Sequence, residues 1–170
     1  FPNANDHDEV EKSFETELVR NATIELTSGS VDQLIEVSDL LPRGTKVFIP
    51  DSADQSAGQK TETVAQIHSM GFDPVPHLIP DRWSSSATLK AFLENCCTNH
   101  GVHRVHLLGA LPGAGEATER TTELIGQGLL ADAGIRAVTL RGYPEGKPGV
   151  DQEAIAADLQ HRLELARKQC

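Results

Sequence analysis

Arg141-Gly142-Tyr143-Pro144-Glu145-Gly146-Lys147-Pro148 joins two regular segments of opposite kind. The apolar segment before it, residues 135–140, reads as a strand. After it, Asp151 stands where a helix cap belongs, and Ile155, Leu159 and Leu163 recur near helical spacing through residue 168. Two prolines and two glycines make the stretch a stiff turn. A tyrosine, a carboxylate and an ammonium at the end of a strand also make it a candidate binding segment. Strand, turn and helix in this order form the unit on which the fold depends, because the same unit recurs upstream.

Reading back toward the N-terminus, strands are expected over residues 104–108, 74–79, 46–50 and 22–26. Helices follow them over 121–130, 87–97, 60–70 and 30–41. In the first strand Ala22, Ile24 and Leu26 share one side, and Thr23 and Glu25 the other. Ser30 with Gln33 makes a capping box for the first helix, where Leu34, Ile35, Val37 and Leu41 recur. Val64 and Ile67 face inward on the second helix, and Leu89, Phe92, Leu93 and Cys96 form a stripe on the third. Five strand–helix units in a row imply parallel strands joined by crossovers. A doubly wound open sheet and a (β/α)8 TIM barrel both fit that pattern. Length favours the open sheet, since a barrel needs roughly 250 residues and the chain has 170.

Composition narrows the function classes. Charged residues make up 24% and hydrophobic ones 38%, which fits a folded domain with a polar, acidic leader over residues 1–20. A net charge of -10 and dispersed basic residues exclude a nucleic-acid binder working through a basic face. No segment approaches the roughly 20 apolar residues of a membrane helix. Cys96, Cys97 and Cys170 lack a disulfide framework and read as free thiols in a reducing, cytoplasmic setting.

Candidate chemistry falls where strands end. Glu25 sits in a strand otherwise built of Ala, Thr, Ile and Leu. It is either a solvent-facing residue of an open sheet or, at a barrel mouth, a poorly solvated carboxyl able to serve as a general acid. His77, in Pro76-His77-Leu78, ends the third strand among apolar neighbours. His103 and His106 lack the spacing to a third partner that zinc requires, so no metal site is expected. The glycine-rich run from Leu107 to Gly115 lacks the patterns of nucleotide-phosphate loops. Its small residues suit close approach of a flat cofactor.

Taken in order, Thr23-Ile24-Glu25-Leu26-Thr27, Pro76-His77-Leu78, Gly109-Ala110-Leu111-Pro112 and Tyr143-Pro144-Glu145 resemble the strand-end motifs of the methylenetetrahydrofolate reductase family. These enzymes are FAD-containing (β/α)8 barrels. The resemblance runs over about residues 20 to 168. It implies that residues 21–170 are the N-terminal part of a TIM-barrel domain, incomplete at about five units. Another chain or a C-terminal segment would then complete the barrel.

The resemblance also implies roles. Glu25 would be the general acid that helps open the folate's methylene bridge. His77 would lie beside the flavin, Leu108, Gly109 and Ala110 would run near its ring system, and Tyr143 would pack in the FAD site. Lys147 would pair with a cofactor phosphate, and Arg162 would lie near the phosphates or ribose. FAD is the implied cofactor, NAD(P)H the electron donor and a folate-type small molecule the substrate. The sequence departs from the family at Ala110, where the family carries an aspartate that contacts the pterin, and at Lys147, where a family member carries histidine. A divergent folate-linked one-carbon enzyme and a non-catalytic, barrel-derived binding or assembly subunit are the alternatives.

Overall fold

The computed structural model describes residue 17 and residues 21–27, 31–109 and 116–169. Most of the expected leader, Ser30 as a helix cap, Ala110 with the rest of the small-residue turn to Gly115, and Cys170 lie outside the described residues.

Among the described residues five strands alternate with helices. They are β1 (Thr23–Glu25), β2 (Lys46–Ile49), β3 (Asp73–Leu78), β4 (Arg104–Leu107) and β5 (Ala137–Leu140). Helix α1 (Val31–Val37) with a 3-10 turn (Ser38–Leu40) follows β1, and α2 (Ala57–Ser69) follows β2. A 3-10 turn (Pro80–Arg82) and α3 (Ser86–His100) follow β3. Helix α4 (Glu116–Gly126) and the short α5 (Leu129–Asp132) follow β4, and α6 (Gln152–Gln169) follows β5. All four strand pairings are parallel, and the order is β1-β2-β3-β4-β5. That order never reverses, unlike a doubly wound sheet, whose winding changes direction at a switch point.

The pleat gives the sheet two unlike faces. Val47, Ile49, Leu78, Val105 and Leu107 point to one of them. There they join Leu34, Val64, Ile67, Leu89, Phe92, Leu93 and Ile125 from the helices in a single buried core. Each such side chain contributes roughly 1.5–3 kcal/mol by leaving water. Cys96 belongs to this core as a free thiol, and burial pushes its pKa up to about 12, so it packs as an inert hydrophobe.

Local signals set the helix ends. Ser56 and Gln59 form a reciprocal capping box that starts α2 at Ala57 rather than at residue 60. The Ser85 hydroxyl accepts from the Thr88 N–H at the start of α3. Gly101, with φ at +62°, closes α3 in the left-handed region that other residues avoid.

Two expected apolar stripes are corrected. On α1 only Leu34 is buried, while Ile35 and Val37 are exposed. Positions 34, 35 and 37 span too wide an arc for one short helix to bury. On α6 Leu163 is 40% exposed, and the inward position is taken by Arg162, one turn beyond Leu159 and two beyond Ile155.

Candidate functional site on the helix-free face of the sheet

The second face of the sheet carries the polar side chains. Register places Glu25 beside Phe48, and Phe48 beside Val75. Two residues further along β3, His77 pairs with His106, and His106 with Thr139. Residues paired across parallel strands share a face, so Glu25, Phe48, His77, His106 and Thr139 form one patch near the C-terminal strand ends. The Phe48 ring lies edge-on to both imidazoles, at 5.8 Å from His77 and 5.7 Å from His106. The two imidazole centroids are 4.7 Å apart.

The electrostatics follow from that crowding. Desolvation holds the His77 pKa below 6.5, with Arg141 adding to the effect and Glu25 and Asp51 opposing it. Desolvation also lowers His106, reinforced by His77 and Arg141 and opposed by Glu25. Both rings are therefore neutral at neutral pH. His77 is buried, and its Nε2 has no hydrogen-bond partner among the described residues. Such an atom costs roughly 1–3 kcal/mol unless something pairs with it. Glu25 is exposed at the end of β1. Its charge is felt at both imidazoles.

Behind His77 a charged knot ties the ends of β2 and β3. The Asp51 carboxylate pairs with the Lys60 ammonium and accepts the Ile79 N–H at 2.9 Å. The Arg82 guanidinium donates to the Asp51 carbonyl. Lys60 also lies 4.9 Å from the Trp83 ring centre.

Leu108 extends β4 by donating its N–H to Leu78 at 2.9 Å, and Gly109 follows it. A Cβ on Gly109 would come within 2.8 Å of Arg162 Nη1 and 3.3 Å of Thr121 Cγ2. A side chain at this position would have to displace the buried guanidinium. Arg162 is 2% exposed and pairs with Asp158 at 2.5 Å, while its Nε and Nη1 have no hydrogen-bond partner among the described residues.

The segment after β5 is two consecutive turns. Gly146 N–H donates to the Tyr143 carbonyl at 2.9 Å, and Val150 N–H to the Lys147 carbonyl at 3.1 Å. Pro144 and Pro148 each occupy the second position of a turn, where their fixed φ suits the chain. Gly149, with φ at +80°, takes the third position of the second turn. The result brings two cations to the Tyr143 ring, Lys147 at 4.9 Å and Arg141 at 5.2 Å from the ring centre. The segment is therefore a stiff turn that also displays an aromatic ring and two exposed positive charges.

Of the expected site residues, the structure groups Glu25 with His77 on the helix-free face. Leu108 and Gly109 stand at the end of β4, and Tyr143 and Lys147 lie in the turns after β5. Arg162 is held against Gly109 by its own helix, and Ala110 lies outside the described residues. A separate cavity of about 320 Å³ opens between Trp83, Ser85, Leu89, Arg120, Glu123 and Gln127, and none of the patch residues lines it. Among the described residues no three of His, Cys, Asp and Glu converge as metal ligands would.

Sequence reasoning missed Phe48, His106, Thr139 and Arg141. One signal was available: His77-Leu78 and His106-Leu107 repeat the same dipeptide at the ends of successive strands, and the two pairs stand in register. No protein-family model matches this chain.

Proposed function

We propose that the chain is part of a flavin-dependent oxidoreductase of one-carbon metabolism, reducing 5,10-methylenetetrahydrofolate to 5-methyltetrahydrofolate with NAD(P)H. The observation that carries the reading is that Glu25, from the first strand, and His77, from the third, lie on one helix-free face near the C-terminal strand ends, with the Glu25 charge felt at His77. That is where a barrel of parallel strands builds its site. In this reading the uniform strand order belongs to a (β/α)8 barrel of the cytoplasm. Further strand–helix units, in the same or another chain, would pair with the outer edges of β1 and β5.

The residues present suit FAD. His77 offers an unpartnered buried nitrogen, and Gly109 leaves a backbone surface without a side chain. Arg141 and Lys147 supply positive charge around Tyr143 for a diphosphate. When bound, FAD would carry the hydride between NAD(P)H and the folate. The chain's own work is to orient both and to deliver a proton. Glu25 donates that proton to the nitrogen that leaves the methylene bridge, opening it to the iminium that accepts hydride. A ligand laid over the exposed carboxyl would strip its water and favour the protonated form.

Ala110, in place of the family's aspartate, favours a second reading: a divergent folate-linked enzyme, or a binding subunit that keeps the scaffold without the chemistry. Stopped-flow absorbance on Glu25→Gln separates these. Flavin reduction by NAD(P)H should stay near its original rate, while reoxidation by methylenetetrahydrofolate falls by roughly 10²–10⁴-fold. An unimpaired folate half-reaction removes Glu25 as the acid. Absence of both half-reactions in the unsubstituted protein supports the binding subunit.

A further inference from the structure

The neighbours of His106 favour one tautomer of its ring. The Thr139 hydroxyl has a single hydrogen, and it donates it to the Val105 carbonyl at 3.1 Å. A carbonyl oxygen can only accept, so a hydroxyl that donates to it has only its oxygen left for His106. His106 Nδ1 lies 2.9 Å from that oxygen, and the tautomer that completes this chain of bonds carries its proton on Nδ1. Nε2 is left with its lone pair. The arrangement is cross-strand, since His106 and Thr139 are register partners on β4 and β5, and the pairing of the two strands maintains it.

We propose that His106 is a specificity-determining residue of the helix-free face, whose Nε2 accepts a hydrogen bond from an imide or lactam N–H of a planar heteroaromatic ligand. This rests on the reading that the face binds such a ring, and it adds the polarity by which the ring is chosen. The flavin ring system and the pterin of a folate both carry an N–H of this kind. Burial, reinforced by the His77 ring 4.7 Å away, disfavours a second proton on the ring, so Nε2 stays an acceptor. Thr139 is a positioning residue that acts through His106. A ring whose N–H is methylated loses the bond and leaves Nε2 buried against a methyl group.

Two measurements test this. Nitrogen NMR of the chain labelled with ¹⁵N-histidine should show His106 protonated on Nδ1 and bare on Nε2 at neutral pH. Thr139→Val keeps the side-chain shape, removes the acceptor and should shift His106 toward the Nε2–H tautomer. Equilibrium titrations then compare riboflavin with its imide N-methyl analogue, and pterin with its lactam N-methyl analogue. The parent ring should bind roughly three- to tenfold more tightly, the worth of one neutral hydrogen bond. That preference should fall in Thr139→Val, which leaves the steric demand of the methyl group unchanged, and in His106→Phe. Preference for the parent pterin with no flavin binding supports the role of His106 and overturns the flavin reading. A proton on Nε2 in the unsubstituted chain, equal affinity for parent and methylated rings, or binding of neither parent ring overturns the proposal.

Discussion

Replacing Asp51 with asparagine tests whether the charged knot behind His77 holds the end of β3. The Asp51 side chain has no exposure to solvent, and that of Lys60 has 12%. Asparagine keeps an oxygen for the Ile79 N–H, so that bond survives and only the charge is lost. Breaking a buried ion pair from one side costs roughly 3–5 kcal/mol, because the remaining charge stays buried. Lys60 already reaches the surface along the Trp83 ring, so part of its charge can be rehydrated. The lower end of the range, about 3 kcal/mol, applies. For a chain of this length each kcal/mol moves Tm by roughly 2–4 °C, so a fall of about 6–12 °C is expected. Adding Lys60→Met removes the orphaned ammonium and should recover roughly half of the loss. Thermal unfolding followed by circular dichroism measures both variants. Asp51→Asn melting within about 1 °C of the unsubstituted chain, or a double variant no more stable than the single one, would refute the reasoning.

Gly109→Ala should cost roughly 1–3 kcal/mol in urea denaturation, because the added methyl meets the Arg162 guanidinium at 2.8 Å. An unchanged urea midpoint would mean that Arg162 moves aside freely. Stability should also decline as pH falls from about 6.5 toward 5. His77 and His106 have folded pKa values below 6.5, so the unfolded chain takes up protons that the folded rings resist. Denaturation midpoints across that range, compared with those of His77→Asn and His106→Asn, should show the dependence flatten in both variants. A midpoint that rises on acidification contradicts the burial of the two imidazoles.

The strand–helix alternation could be read from local pattern because each strand and each helix carries its own hydrophobic period. Val64 and Ile67 on α2, and Leu89, Phe92, Leu93 and Cys96 on α3, are buried as their spacing requires. Element ends depend on single residues. The Ser56–Gln59 capping box is a local signal that places the start of α2, and it is easily passed over beside the stronger apolar run. Arg162 and Leu163 exchange roles on α6 for a tertiary reason: the helix sits against Gly109, where the missing side chain makes room for a guanidinium. Strand order is not a local property at all, and neither is the company His106 keeps. The imidazole acquires meaning from Thr139, 33 residues away in sequence, and from His77 on the other neighbouring strand.

The helix-free face is the centre of the account, and a flavin titration followed by two-dimensional NMR of the ¹⁵N-labelled chain tests it most directly. FAD should bind and should move the backbone signals of Glu25, Phe48, His77, His106, Thr139 and Tyr143 together along one saturable curve. Signals of the helix-side core, such as Ile67 and Leu93, should stay in place. No saturable binding, or changes confined to the cavity between Trp83 and Arg120, would contradict it.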